Sequence, residues 1–102
     1  MKFPKPGVVH DQDYLEWIER RPCVVCGRLK AGFKQDKNDA HHVNDKSGGS
    51  AKFNDKRALP MCWDHHREGH QIGWITFQKK HNLDFEILIE AFNIIYERSN
   101  LP

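Results

Sequence analysis

The chain has 102 residues, with 16 Lys and Arg against 14 Asp and Glu, a net charge of +2, 38% hydrophobic residues and 29% charged ones. That length holds one domain, the composition excludes a disordered chain, and the mild charge is compatible with nucleic acid without arguing for it. No apolar run is long enough to cross a membrane and MKFPKPGVVHDQ lacks the apolar block of a secretory signal, so a cytoplasmic protein without membrane partners is expected.

Residues 1–10, with Pro4, Pro6 and Gly7, read as an extended lead-in. A helix follows over about residues 12–20, capped by Asp11 or Asp13, carrying Tyr14, Leu15, Trp17 and Ile18, and stopped by Pro22. Cys23 and Cys26 then form C-x-x-C, with Gly27 supplying a tight turn. Residues 28–38 are polar and basic and read as a hairpin limb plus loop. A short strand is expected at DAHHV (39–43), a loop at 44–55 around Gly48 and Gly49, and a second strand at RALPM leading into Cys62. Asp64 is the expected N-cap of a helix over 65–71 that ends near Gly73. A further helix at WITFQKKHN precedes a long amphipathic helix over about 84–98. On that last helix Phe85, Leu88, Ile89, Phe92, Ile95 and Tyr96 recur at steps of three and four.

The densest chemistry lies in CWDHHREGH, residues 62–70. Residues four apart share a helix face, so His66 and His70 can converge on one ion. His65 is turned away from His66 by about 100°. It is three residues from Cys62, a C-x-x-H spacing that completes a Cys3His set with Cys23 and Cys26. Three cysteines cannot all pair, and four such ligands make a closed, structural zinc site. The alternative is a single zinc that takes Cys62 and His66 together. A second site needs a third ligand, and His41 and His42 are adjacent on a strand, where neighbouring side chains point to opposite faces. One imidazole would bind the ion, and the other would sit beside the bound substrate, placed to take a proton from water. Spacing alone allows either order. A three-histidine site leaves positions open for water or substrate, as a catalytic metal requires.

The order C-x-x-C, AHHV, a glycine-containing loop with FND, then LPMCWDHHREGH resembles the HNH endonucleases of the zinc-knuckle subtype, over about residues 14–85. It is most similar to small phage and prophage members of the recombination-enhancing nuclease type. The resemblance implies an α+β fold: a small ββα-metal core with a structural zinc knuckle, flanked by an N-terminal helix and C-terminal helices. It implies His42 as general base, a catalytic ion on His41, His66 and His70, and structural zinc on Cys23, Cys26, Cys62 and His65. The family's middle asparagine has no clean match among Asn54, Asp55 and Arg57; Asp55 is assigned the role, holding the histidine loop through hydrogen bonds to backbone.

The implied activity is metal-dependent hydrolysis of DNA phosphodiesters, leaving 5′-phosphate and 3′-hydroxyl ends, in recombination, repair or processing. Zn²⁺ is expected at the structural site. A second divalent ion is expected at the histidines, Zn²⁺, Ni²⁺ or Mn²⁺ suiting three nitrogens better than Mg²⁺. The expected partner is DNA, single- or double-stranded, together with recombination or packaging proteins. Lys46, Lys52, Lys56, Arg57 and Arg67 are the candidate DNA contacts, with solvated surface charge as the plain alternative, and no base readout is encoded. His10 and His81 read as surface residues, and Trp63 and Trp74, which flank the ligand helix, as packing against the last helix, with stacking on a base as the alternative. The competing functions are a zinc-stapled nucleic-acid-binding module that does not cut, and a zinc ribbon with one ion.

Overall fold

The computed structural model describes residues 9–44 and 54–99; the lead-in before Val9 and the loop with Lys46, Gly48, Gly49 and Lys52 lie outside the described residues. The described chain is α+β, with four helices and a two-stranded antiparallel sheet. Helix α1 (Gln12–Glu19) is capped by Asp11, whose carboxylate accepts from the Tyr14 N–H at 3.0 Å. It buries Tyr14 and Ile18 completely against Ala58, with Trp17, Phe92 and Tyr96 packed around them. Beyond it, the C-x-x-C segment closes a turn in which the Gly27 N–H reaches the Cys23 carbonyl at 2.9 Å. Gly27 takes φ 74°, which a side chain would resist.

Residues 28–38 form no hairpin limb. They make an irregular loop organised by Asn38, which is fully buried. Its Oδ1 accepts from the Ala31 N–H at 3.0 Å, and its Nδ2 donates to the Arg21 and Arg28 carbonyls at 2.8 Å each. One side chain thus satisfies three backbone groups that strand pairing would otherwise have to satisfy.

Strand β1 (Asp39–His42) pairs with β2 (Ala58–Met61) in the register Asp39 to Met61, His41 to Leu59 and His42 to Ala58. A 3-10 turn (Asp55–Arg57), capped by the Asn54 side chain, delivers the chain into β2. Pro60 has no N–H to give, but its carbonyl accepts from the Val24 N–H at 3.1 Å, tying the C-x-x-C turn to the sheet.

Helix α2 (Trp63–Ile72) begins earlier than the sequence predicts. Its N-cap is Cys62, whose sulfur accepts from the His65 N–H at 3.5 Å. Asp64 lies inside the first turn, where a negative charge favours the helix dipole, and pairs with Arg28 and Arg67. Gly73, at φ 87°, ends α2 and starts α3 (Trp74–His81) with a sharp change of direction. The bend lays Trp74 over Gly69, where an added Cβ would fall 1.8 Å from the indole. Helix α4 (Phe85–Ser99) packs Phe85 and Ile89 against Leu59, Met61, Phe77 and Val43. Truncating a core phenylalanine such as Phe77 to alanine should cost about 3–5 kcal/mol. Ile95, expected in the buried stripe, is 50% exposed, while Tyr96 beside it packs on Tyr14 and Trp17 of α1. Among the described residues no helix is long and apolar enough to cross a membrane.

Candidate metal centres and the strand between them

Cys23, Cys26, Cys62 and His65 come together, each offering a ligand atom within 4.8 Å of the others. The Cys26 and Cys62 sulfurs are 3.8 Å apart, and His65 Nδ1 is 3.1 Å from Cys62 Sγ and 3.9 Å from Cys23 Sγ. Two thiolates on one tetrahedral zinc lie about 3.8 Å apart, so the donor set fits such an ion. Arg28 covers these sulfurs, its Nε 3.2 Å from Cys26 and its Nη2 3.1 Å from Cys62. Burial works against ionisation of Cys26, but hydrogen bonds from Arg28 and the neighbouring sulfurs outweigh it and bring the thiol down to about 6. Burial drives Cys62 the other way, to about 11.

His41, His66 and His70 make a second group, again within 4.8 Å. The Nε2 atoms of His66 and His70 lie 3.2 Å apart, matching the roughly 3.0–3.4 Å between two imidazole nitrogens on one ion. His41 comes from β1, buried and stacked on Trp74 with ring centroids 3.9 Å apart. Burial, reinforced by His66, His70 and His42, pushes its imidazole down to about 3, so it is neutral and its ring nitrogen is free to donate to a metal. Asp39 accepts from His66 Nδ1 at 3.1 Å, which leaves Nε2 as the donor beside His70.

His42, the next residue on β1, leaves the trio. Its Nε2 bonds Asp55 Oδ1 at 3.0 Å, and Asp55 Oδ2 accepts from the Asp11 N–H at 2.7 Å. Asp55 thus holds the histidine ring and the start of α1; among the described residues its side chain meets backbone at Asp11, and most of the loop that follows the histidines lies outside them. His42 and His66 both line an open groove of about 410 Å³ between α1, the 31–38 loop and α2.

A family model described as "Protein of unknown function (DUF968)" matches residues 1–98. The chain belongs to the DUF968 family. A relative, "Uncharacterized protein YdfU" of Escherichia coli (strain K12), is 29% identical over 90 residues, covering 86% of this chain and 24% of that protein. The chain therefore spans about a quarter of the length of the curated relative it matches. No solved structure matches.

In this DUF968 chain the basic residues named from sequence part company. Lys56 sits 3.2 Å from Asp11 and over the Tyr14 and Tyr96 rings, bracing α1 against α4. Arg57 binds Glu86 and the Val43 and Asn44 carbonyls, clamping the end of β1 to α4. Arg67 remains exposed beside Asp64 and the Trp63 ring. Trp63 does not reach the last helix; it packs on Phe33, centroids 5.0 Å apart. Trp74 does pack on Phe85 of that helix. His81 is not a bare surface residue either. It binds Glu68, which also takes Lys80 at 2.6 Å, and its ring faces His65. Hydrogen bonds from Lys80 and His81 hold the Glu68 carboxyl down at about 2. Asp39 and Arg28 were missed as site residues. Asp39 was legible: it is two residues before His41, hence on the same face of the strand.

Proposed function

We propose that this DUF968 chain is a metal-dependent DNA endonuclease of the HNH type, with a ββα-metal core and a structural zinc knuckle. The observation that carries the reading is the divergence of two neighbouring histidines. His41 joins His66 and His70, while His42 turns to Asp55, 3.0 Å away. A purely structural metal has no use for a spare imidazole held by its own carboxylate beside an open groove. A histidine–carboxylate pair that activates a nucleophilic water does.

In this reading Cys23, Cys26, Cys62 and His65 hold the structural zinc, and His41, His66 and His70 hold the second ion. Asp55 takes the Nε2 proton of His42 in a hydrogen bond and so leaves Nδ1 as the basic nitrogen. Through it His42 removes a proton from water as the water attacks phosphorus. Asp55 stabilises the imidazolium that forms, and Asp39 keeps His66 in the tautomer that presents Nε2. A bound divalent ion supplies charge neutralisation at the phosphate and at the leaving oxygen. Because all three ligands are nitrogens, Zn²⁺, Ni²⁺ or Mn²⁺ is the fitting ion rather than Mg²⁺. Tight zinc at this position would slow turnover.

The test is nicking of supercoiled plasmid by metal-reconstituted protein and by His42→Ala. Nicking by the first and its loss in the second, with metal content intact, supports the reading. Equal nicking by both assigns the activity to another base or a contaminant. No nicking with any of the four ions leaves a binding module built on the same scaffold.

A further inference from the structure

We propose that Phe33 and Trp63 form a stacking platform for the unpaired bases of a DNA strand, which leads that strand along the groove to His42. The inference rests on the nuclease reading above and names its substrate class: DNA with single-stranded character at the site of cleavage.

Phe33 is 68% exposed and Trp63 39% exposed, and neither belongs to a core cluster. A chain of this size has little apolar surface to spare, so two aromatic rings left in water side by side call for a reason. Their rings are inclined at 56° and flank the same groove that His42 and His66 line. The platform is not an accident of a loose loop. The Trp63 N–H donates to the Ala31 carbonyl at 2.7 Å, and the Phe33 N–H donates to Asp39 Oδ1 at 2.9 Å. Between them Gly32 is packed so closely that a Cβ there would fall 2.6 Å from the Lys37 carbonyl oxygen and 2.7 Å from the Asp39 nitrogen. The other oxygen of Asp39 holds His66, so one carboxylate fixes both the aromatic loop and the histidine trio.

Charge selects among partners with flat faces. Lys34 lines the groove beside Lys37, which pairs with Glu19 at 2.9 Å, and the Arg67 guanidinium, 3.6 Å from Asp64, lies 5.9 Å from the Trp63 ring and stays exposed beside it. Rings interleaved with cations suit a polyanion that exposes planar groups, which is a nucleic-acid strand with unstacked bases. A duplex keeps its base faces covered by their neighbours and offers the platform only its phosphates.

The experiment uses the full chain carrying His42→Ala, so that it binds without cutting, with both metals loaded. Anisotropy of a fluorescein-labelled oligothymidylate is compared with that of a duplex hairpin, with and without Phe33→Ala, Trp63→Ala or Phe33→Trp added. Loss of a stacking ring should weaken strand binding about 5- to 150-fold per base, leave the duplex unchanged, and be reversed by Phe33→Trp. Unchanged strand affinity in both alanine variants, or equal loss on strand and duplex, overturns the platform. Tighter binding of oligouridylate than of oligothymidylate overturns the assignment to DNA. Phe33 is mostly in water, so its variant reads the outcome even if Trp63→Ala disturbs the helix start. The two readings fail separately. Strand binding through Phe33 with no cleavage of any DNA removes the nuclease and keeps the platform. His42-dependent cleavage with strand binding indifferent to both rings removes the platform and keeps the nuclease.

Discussion

The cysteine cluster and the histidine trio share helix α2 yet differ in the features that the proposed roles of staple and reaction site would need. The cysteine set offers four donors and covers its thiols with Arg28. The trio offers three donors, one buried in the core and one exposed, and has a carboxylate-held histidine beside it. One residue step on α2 divides them: His65 faces the sulfurs and His66 faces β1, as a rotation of about 100° per residue requires. Consecutive identical side chains can therefore do unrelated work. The difference predicts that damage to one cluster destroys the fold and damage to the other destroys only activity.

The largest effect should come from the cysteine side. Structural zinc contributes about 10–16 kcal/mol in small domains, more than the roughly 5–15 kcal/mol of a whole domain's stability. Strong chelation, or Cys62→Ser, should abolish cooperative thermal unfolding followed by circular dichroism. An unchanged melting curve after complete metal removal would show that the core stands alone. Next comes His42→Ala, expected to lower nicking about 10²- to 10⁴-fold while the melting curve and metal content stay as in the parent. Loss of folding in that variant would move His42 from chemistry to structure. A smaller effect is expected from Asp39→Asn, which should weaken the second ion about 10- to 100-fold in a competition titration and leave the cysteine site filled. Equal weakening of both ions would merge the two regions. The least effect belongs to Arg67→Ala: stability within about 0.5 kcal/mol, and a salt dependence of DNA binding shallower by about one unit. An unaltered salt slope would remove Arg67 from the DNA surface.

What could be read from sequence was what rests on local periodicity. The separation of His65 from His66, the pairing of His66 with His70, and the opposed faces of His41 and His42 follow from helix and strand geometry alone. So does the α+β order of elements, with α1 and α4 within a residue or so of expectation. The start of α2 was misplaced because Asp64 is the better cap on chemical grounds, yet Cys62 occupies the extended N-cap position, at φ −73° and ψ 162°. The loop at 28–38 was misread because the side chain of its organiser, Asn38, bonds residues up to 17 positions away, and no local pattern announces that. His81 became a neighbour of His65 only through the bend at Gly73, whose angle depends on Trp74 settling over Gly69. Tertiary placement, not the identity of the side chains, hid these residues.

Counting metal ions per chain by elemental analysis, in the parent and in His70→Ala, tests the separation of the two clusters most directly. Two ions in the parent, and one in a His70→Ala protein that still melts cooperatively, are the expected values. A single ion in the parent, or simultaneous loss of both ions in the variant, would mean that residues 62–70 serve one centre and that no second site stands beside His42.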